Sequence, residues 1–166
     1  MKSVTHIGFE YTIEVINKDG EVTDREVIHN LMPTEGMNHL LAVLLLGASQ
    51  NTAWHIGLYD TPYTPVAGDV AATFPTLASE AVDYVNPQRM LFEGASPVGG
   101  TLDNAANPAE FEFTGENAIH GGFISSSAAK GSTSGVLLSA VRFTTPKSVE
   151  PTSILRVTAG FALVSM

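Results

Sequence analysis

Apolar and polar residues alternate along the first stretch of the chain. Ile7, Phe9, Tyr11, Ile13 and Val15 are separated by Gly8, Glu10, Thr12 and Glu14, the two-residue period of a strand with one buried face. Asn17, Lys18, Asp19 and Gly20 then form a turn in which Gly20 can take a positive φ, and Val22 to Leu31 reads as the returning arm of a long hairpin. That arm carries Glu21, Thr23, Asp24, Arg25 and Glu26, so one face is either solvated or set against a partner. The outer strand is either fully paired inside a sheet or an edge that another chain can extend through main-chain hydrogen bonds.

The period then changes. Pro33 stops the strand, Thr34 is a candidate N-cap, and Met37, Leu40, Leu41, Leu44 and Leu45 follow the spacing of a helix that Gly47 ends. Because Leu40 to Leu46 is apolar nearly all round, this helix is expected to lie buried against a sheet, and Leu41→Asp is expected to unfold the domain.

Trp54, Ile56 and Leu58 alternate with His55, Gly57 and Tyr59 in a short strand, with Trp54 and Tyr59 on opposite faces. Thr61 to Ser79, broken by Pro62, Pro65, Gly68 and Pro75, is a loop with at most a turn of helix near Asp69 to Ala72. A loop of this length is functional or docked onto something. Short strands are predicted at Glu80 to Tyr84, Gln88 to Glu93 and around Phe111 and Phe113. Longer ones are predicted at Ala118 to Ser126, Gly135 to Thr144 and Ile154 to Ser165, with Gly94 to Pro108 irregular. About eight strands and one long helix predict an all-β fold. The expected architecture is a two-sheet antiparallel sandwich or jelly roll with one buried helix and a long N-terminal hairpin. The chain reads as a single domain, 1–166, in which 1–31 is the hairpin, a candidate contact arm, and 34–166 the main body.

Composition narrows the function. Eight Lys and Arg against 17 Asp and Glu give a net charge of −9, and the cations are scattered, which speaks against a nucleic-acid partner. Charged residues are 15% of the chain where roughly 25% is usual, so the surface is weakly charged. With no Cys, disulfide scaffolds, thiol chemistry and thiolate metal sites are excluded. The longest apolar run, Leu40 to Ala48, is short of the roughly 20 residues of a membrane span. Met1 to Ile13 lacks the continuous apolar segment of a signal peptide, which predicts a product made in the cytoplasm.

Catalytic motifs do not assemble. Gly131 to Gly135 has Thr133 where a nucleophile elbow needs Ser, and reads as a Ser/Gly turn. The phosphate-loop pattern is absent, and neither Gly99 with Gly100 nor Gly121 with Gly122 has dinucleotide-binding spacing. Glu35 and His39, one helical turn apart, read as a helix-surface pair. His55 and His120 with Asp60 would make a metal or hydrolytic cluster if the strands brought them together, against the plainer reading of two unrelated strand histidines. Glu110 and Glu112 share a strand face, as a glycosidase pair would, or as a solvated sheet face does. Trp54, Tyr59, Tyr63 and Tyr84 would serve as a stacking platform for a sugar, or as packing at the core edge. No cofactor is expected.

Read in order, several segments resemble a family of small virion structural proteins of tailed bacteriophages. The resemblance runs through Thr34, Glu35, Gly36, Met37, Asn38, His39, Leu40 and Leu41; then Trp54 to Tyr59; then Tyr63, Thr64 and Pro65; then Asp69 to Thr73; then Glu80, Tyr84 and Arg89. A second block comprises Gly121 to Ile124, Lys130 to Leu137, and Val141, Arg142 and Phe143. It covers the chain from Thr34 to the end.

The resemblance implies a non-enzymatic particle component, a cement or decoration protein on the capsid exterior that bridges subunits of the major capsid protein and associates with itself as a homodimer or homotrimer. Tyr11, Tyr63, Phe74 and Trp54 are the candidate contact residues, because buried aromatics dominate interfaces. The alternative is a tail-fibre or tail-tip module that binds a host surface glycan.

Overall fold

A computed structural model describes residues 7–163. They form ten strands and two helices: β1 (Ile7–Ile16), β2 (Val22–His29), α1 (Thr34–Leu46), β3 (His55–Tyr59), α2 (Phe74–Leu77), β4 (Glu80–Ala81), β5 (Met90–Leu91), β6 (Thr101–Asp103), β7 (Ala109–Glu112), β8 (Asn117–Ser125), β9 (Leu137–Val149) and β10 (Ile154–Leu163). All pairings are antiparallel. The first sheet runs β2-β1-β10-β6, with β7 paired to the other end of β10; the second runs β4-β3-β8-β9, with β5 paired to the other end of β3. The two-sheet, all-β architecture with one long helix is as the periodicity predicts.

The main core lies between the sheets. Phe9, Tyr11, Ile13 and Val15 of β1 and Leu155, Val157 and Ala159 of β10 meet Ile56, Leu58, Ile119, Ile124, Val141 and Phe143 of the second sheet. The hairpin turns at Asn17, whose side-chain oxygen accepts from Asp19 N and Glu21 N while Gly20 sits at φ 82°. It is not an outlying arm: β1 is an interior strand paired along its length with β10, and its inward face from Phe9 to Val15 is core. Removing it would remove a layer of the domain, so the division into an arm and a body does not hold.

β2 is an edge strand, and of its inward positions Asp24 and Glu26 are charged while Ile28 packs on the main core. Asp24 and Glu26 point toward β9, where Lys147 Nζ lies 3.0 Å from Asp24 Oδ2 and 2.8 Å from Glu26 Oε2, and Thr144 N donates to Glu26 Oε1. Inward-facing charges on an edge strand oppose its pairing with another chain. The two sheets are stitched on this side by the reciprocal Leu31–Ala140 main-chain bonds, each 3.0 Å.

Two strands differ from expectation. Thr101–Asp103 forms β6 within the stretch read as irregular, held by Asn104, a buried side chain that accepts from Ala159 N and donates to Val157 O of β10. β9 runs past Pro146, because β8 and β9 are out of simple register between Ile119 and Gly121 and the proline falls where no ladder bond is required.

Candidate functional site

The outward face of the second sheet carries a layer of its own. Tyr59, Phe123, Leu137 and Ala140 on the sheet meet Ala71, Phe74 and Ala78 from the long loop, with Tyr63 packed against them. Phe74 stacks edge-on with Tyr59, Tyr63 and Phe123 at centroid distances of 5.7, 5.8 and 5.3 Å. The loop therefore docks, as its length suggested, and its helical turn falls at Phe74–Leu77, after the predicted position.

Polar pins hold this layer down. The Glu35 carboxylate oxygen Oε2 accepts from Ala71 N at 2.9 Å and Leu137 N at 2.7 Å, joining α1, the loop and β9. Tyr63 donates to Asp69 Oδ1 at 2.6 Å, and Asp69 Oδ2 accepts from Val66 N. That bond to a carboxylate, with some burial, pushes the Tyr63 phenol up to about 12. Gly121 has no Cβ because the Tyr59 ring lies where one would stand, and the Tyr59 hydroxyl donates to Val141 O at 3.0 Å. Burial pushes the Tyr59 phenol well up.

At the edge of the layer Arg89 is fully buried in a bidentate pair with Glu80. Nε reaches Oε1 at 2.8 Å, Nη2 reaches Oε2 at 2.7 Å, and Nη1 and Nη2 also donate to Ser127 O and Ser132 O. Glu80 Oε2 also accepts from Gly131 N, and the guanidinium lies 4.9 Å from the Phe123 ring centre. The Ser/Gly turn, with Gly131 at φ 69° and Gly135 at φ 95°, is thus clamped onto the sheet. Nearby Lys130 sits 3.6 Å from the Tyr84 ring centre and donates to Val82 O and Tyr84 O, and burial lowers its ammonium pKa.

The candidate contact residues separate. Tyr11 is wholly buried in the main core, its hydroxyl 2.7 Å from that of Ser139, and Phe74 is wholly buried in the outer layer, so neither presents surface to a partner. Trp54 is half-buried against the main core and His39, and Tyr63 against the outer layer. They lie on opposite faces of the second sheet and form no shared stacking platform.

The histidine cluster does not form. β3 pairs with β8 so that His55 opposes Ser125, five residues from His120, a separation of roughly 17 Å along a strand. Among the described residues no three His, Asp or Glu stand close enough to hold a metal ion. Burial, aided by the nearby Arg89 charge, holds the His55 imidazole below its usual value, and its Nδ1 is buried without a partner. Glu35 does not pair with His39, whose Nε2 lies 3.1 Å from the Asn51 amide nitrogen. Glu110 is one end of a surface array in which Arg156 contacts Glu110 and Glu14.

The helix departs most from expectation. Pro33, not Thr34, is its N-cap, without a side-chain cap; Thr34 instead donates its N–H to Ala67 O. Only Gly36 is buried, pressed so close to β9 that a Cβ would stand 2.7 Å from Leu138 O. Leu40 packs on the main core, while Leu41, Leu44, Leu45 and Leu46 are 54, 69, 75 and 83% exposed. The helix is fixed by one side of its first turns, and its opposite side has no cover among the described residues. Leu41→Asp is accordingly expected to place a charge in solvent and leave the domain folded, with a normal melting curve. No helix among the described residues is long and apolar enough to cross a membrane.

The fold defines the class: a two-sheet antiparallel β domain with a docked outer layer and a laterally attached helix. Comparison with protein-family models, with curated proteins and with solved structures finds no match.

Proposed function

We propose that this protein is a non-enzymatic virion component of a tailed bacteriophage, which decorates the capsid exterior and stabilises the shell by bridging major capsid protein subunits. One observation supports the reading. Of the residues on which the resemblance rests, from Thr34 to Phe143, Ile56, Leu58, Tyr84, Ile124 and Phe143 lie in the main core, while Glu35, Tyr59, Tyr63, Asp69, Glu80, Arg89, Gly121, Phe123, Gly131 and Leu137 meet in or against the outer layer. Their polar groups are engaged in holding loops to a sheet, which makes a rigid presenting surface, and pre-ordered loops reduce the entropic cost of each contact on a repetitive shell.

Co-sedimentation of the purified protein with capsids that lack it, with isolated tails as control, tests the reading. Saturable binding to capsids at a fixed copy ratio is the expected result. Binding to tails alone overturns it, and a positive glycan array would then assign the protein to receptor binding.

A further inference from the structure

We propose that the outward face of α1, formed by Met37, Leu41, Leu44 and Leu45, is a self-association surface that packs against the same face of a second copy of this chain. The inference does not depend on the capsid reading. These positions recur at the spacing of one helical stripe, and Gly36, Leu40 and Val43 occupy the other side, which faces the domain. A helix apolar on both sides is a helix with two burial partners, and the domain supplies one.

The exposed end is ordered. Gly47 takes the left-handed conformation at φ 67° and Ala48 N bonds to Ala42 O, a closed C-terminal cap that holds Leu44, Leu45 and Leu46 on a regular helix. The apolar area offered by these partly to largely exposed side chains is on the order of 500 Å² per copy, the size of the largest apolar patch on a soluble monomer, which is often functional. Doubled by symmetry it reaches about 1,000 Å², the lower limit of a specific association.

Charge selects the occupant. Copies of a chain with net charge −9 repel one another over most of their surface. From Gly36 through Tyr59 there is no Asp, Glu, Lys or Arg, so this is where two copies meet without like-charge contact. A basic partner would find no counter-charge here. A two-fold axis across the helix sets leucine against leucine, the self-complementary arrangement of an isologous dimer.

Sedimentation equilibrium of the full chain over a range of concentrations is the test. The expected result is a reversible dimer whose association constant falls roughly thirtyfold or more in Leu45→Glu, the loss typical of a central interface residue. That variant should keep the far-ultraviolet spectrum and melting temperature of its own monomer, since the side chain is three-quarters exposed. Because the chain has no cysteine, Leu45→Cys supplies a geometric readout: oxidation should join two copies through the helix. A monomer at every concentration overturns the proposal, as does a dimer indifferent to Leu45→Glu. So does a Leu45→Cys thiol protected from reagent in the monomer, which would place the cover within the chain itself.

Discussion

The two sheets share a core, but their outer faces are built by opposite means. The first sheet turns Glu10, Thr12 and Glu14 outward, and Arg156 bridges Glu14 and Glu110 across neighbouring strands at 3.4 and 2.8 Å, on a partly exposed surface. The second turns Tyr59, Phe123 and Ala140 outward and covers them with residues of the 60–79 loop, pinned by Glu35, Asp69 and the Glu80–Arg89 pair. One face keeps its charges solvated, where they contribute little to stability. The other holds its charges in pairs and hydrogen bonds against a buried layer, where each is costly to remove alone. The same sheet architecture thus yields a surface tolerant of substitution on one side and a brittle, well-ordered one on the other.

The difference can be broken most severely at the buried pair. Glu80→Ala strands the Arg89 guanidinium in the interior and should cost about 3–5 kcal/mol in chemical denaturation, enough to unfold much of the population at moderate denaturant. Phe74→Ala, which empties the centre of the outer layer, should cost a similar ~3–5 kcal/mol. Its signature is separable: amide exchange should rise in 60–79 more than in β1 and β10, because the main core is untouched. If exchange rose equally everywhere, the outer layer would be no independent unit.

A smaller effect comes with pH. The His55 pKa is depressed in the fold relative to the unfolded value of 6.5, so the unfolded chain binds the proton first. Stability should be complete above about pH 6.5 and decline as pH falls below it, and His55→Gln should flatten that part of the profile. For Glu26, burial raises the carboxyl but Lys147 and Thr144 more than offset it, so its pKa is lowered below 4.5 and its contribution is lost in a separate, more acidic window. The smallest effect is on the solvated face. Arg156→Ala should change stability by less than about 1 kcal/mol, and less again in high salt.

Strand positions and the long helix were legible from periodicity because a half-buried strand and a helix each write their repeat into consecutive residues. β1, β2, β3, β8 and β10 lie within a few residues of where alternation puts them. The pins of the outer layer were not legible. Glu35 and Leu137 are 102 positions apart, and nothing local to either reveals the bond. The Glu80–Arg89 pair carried a partial signal: Arg89 is the only Lys or Arg between Arg25 and Lys130, with Glu80, Asp83 and Glu93 the acids near it, so a partner is expected but its identity is not written locally. The α1 surface misled for a different reason. An apolar helix states that it is buried, without stating by which chain, and the sequence of one copy supplied only the inner half of the answer. Tyr11 and Phe74 misled likewise, since a large aromatic reads the same as an anchor or as core.

The Glu35 bond to Leu137 also orders events in time. β9 leaves the ribosome roughly 5–20 seconds after α1 at ordinary rates of synthesis. Throughout that interval the leucine-rich helix lacks the strand against which Gly36 presses, although Ala71, the loop residue that shares the Glu35 carboxylate, is made earlier. Until β9 is made, the inner side of the helix is as uncovered as its outer side, a transiently exposed apolar surface of the kind that favours aggregation during folding.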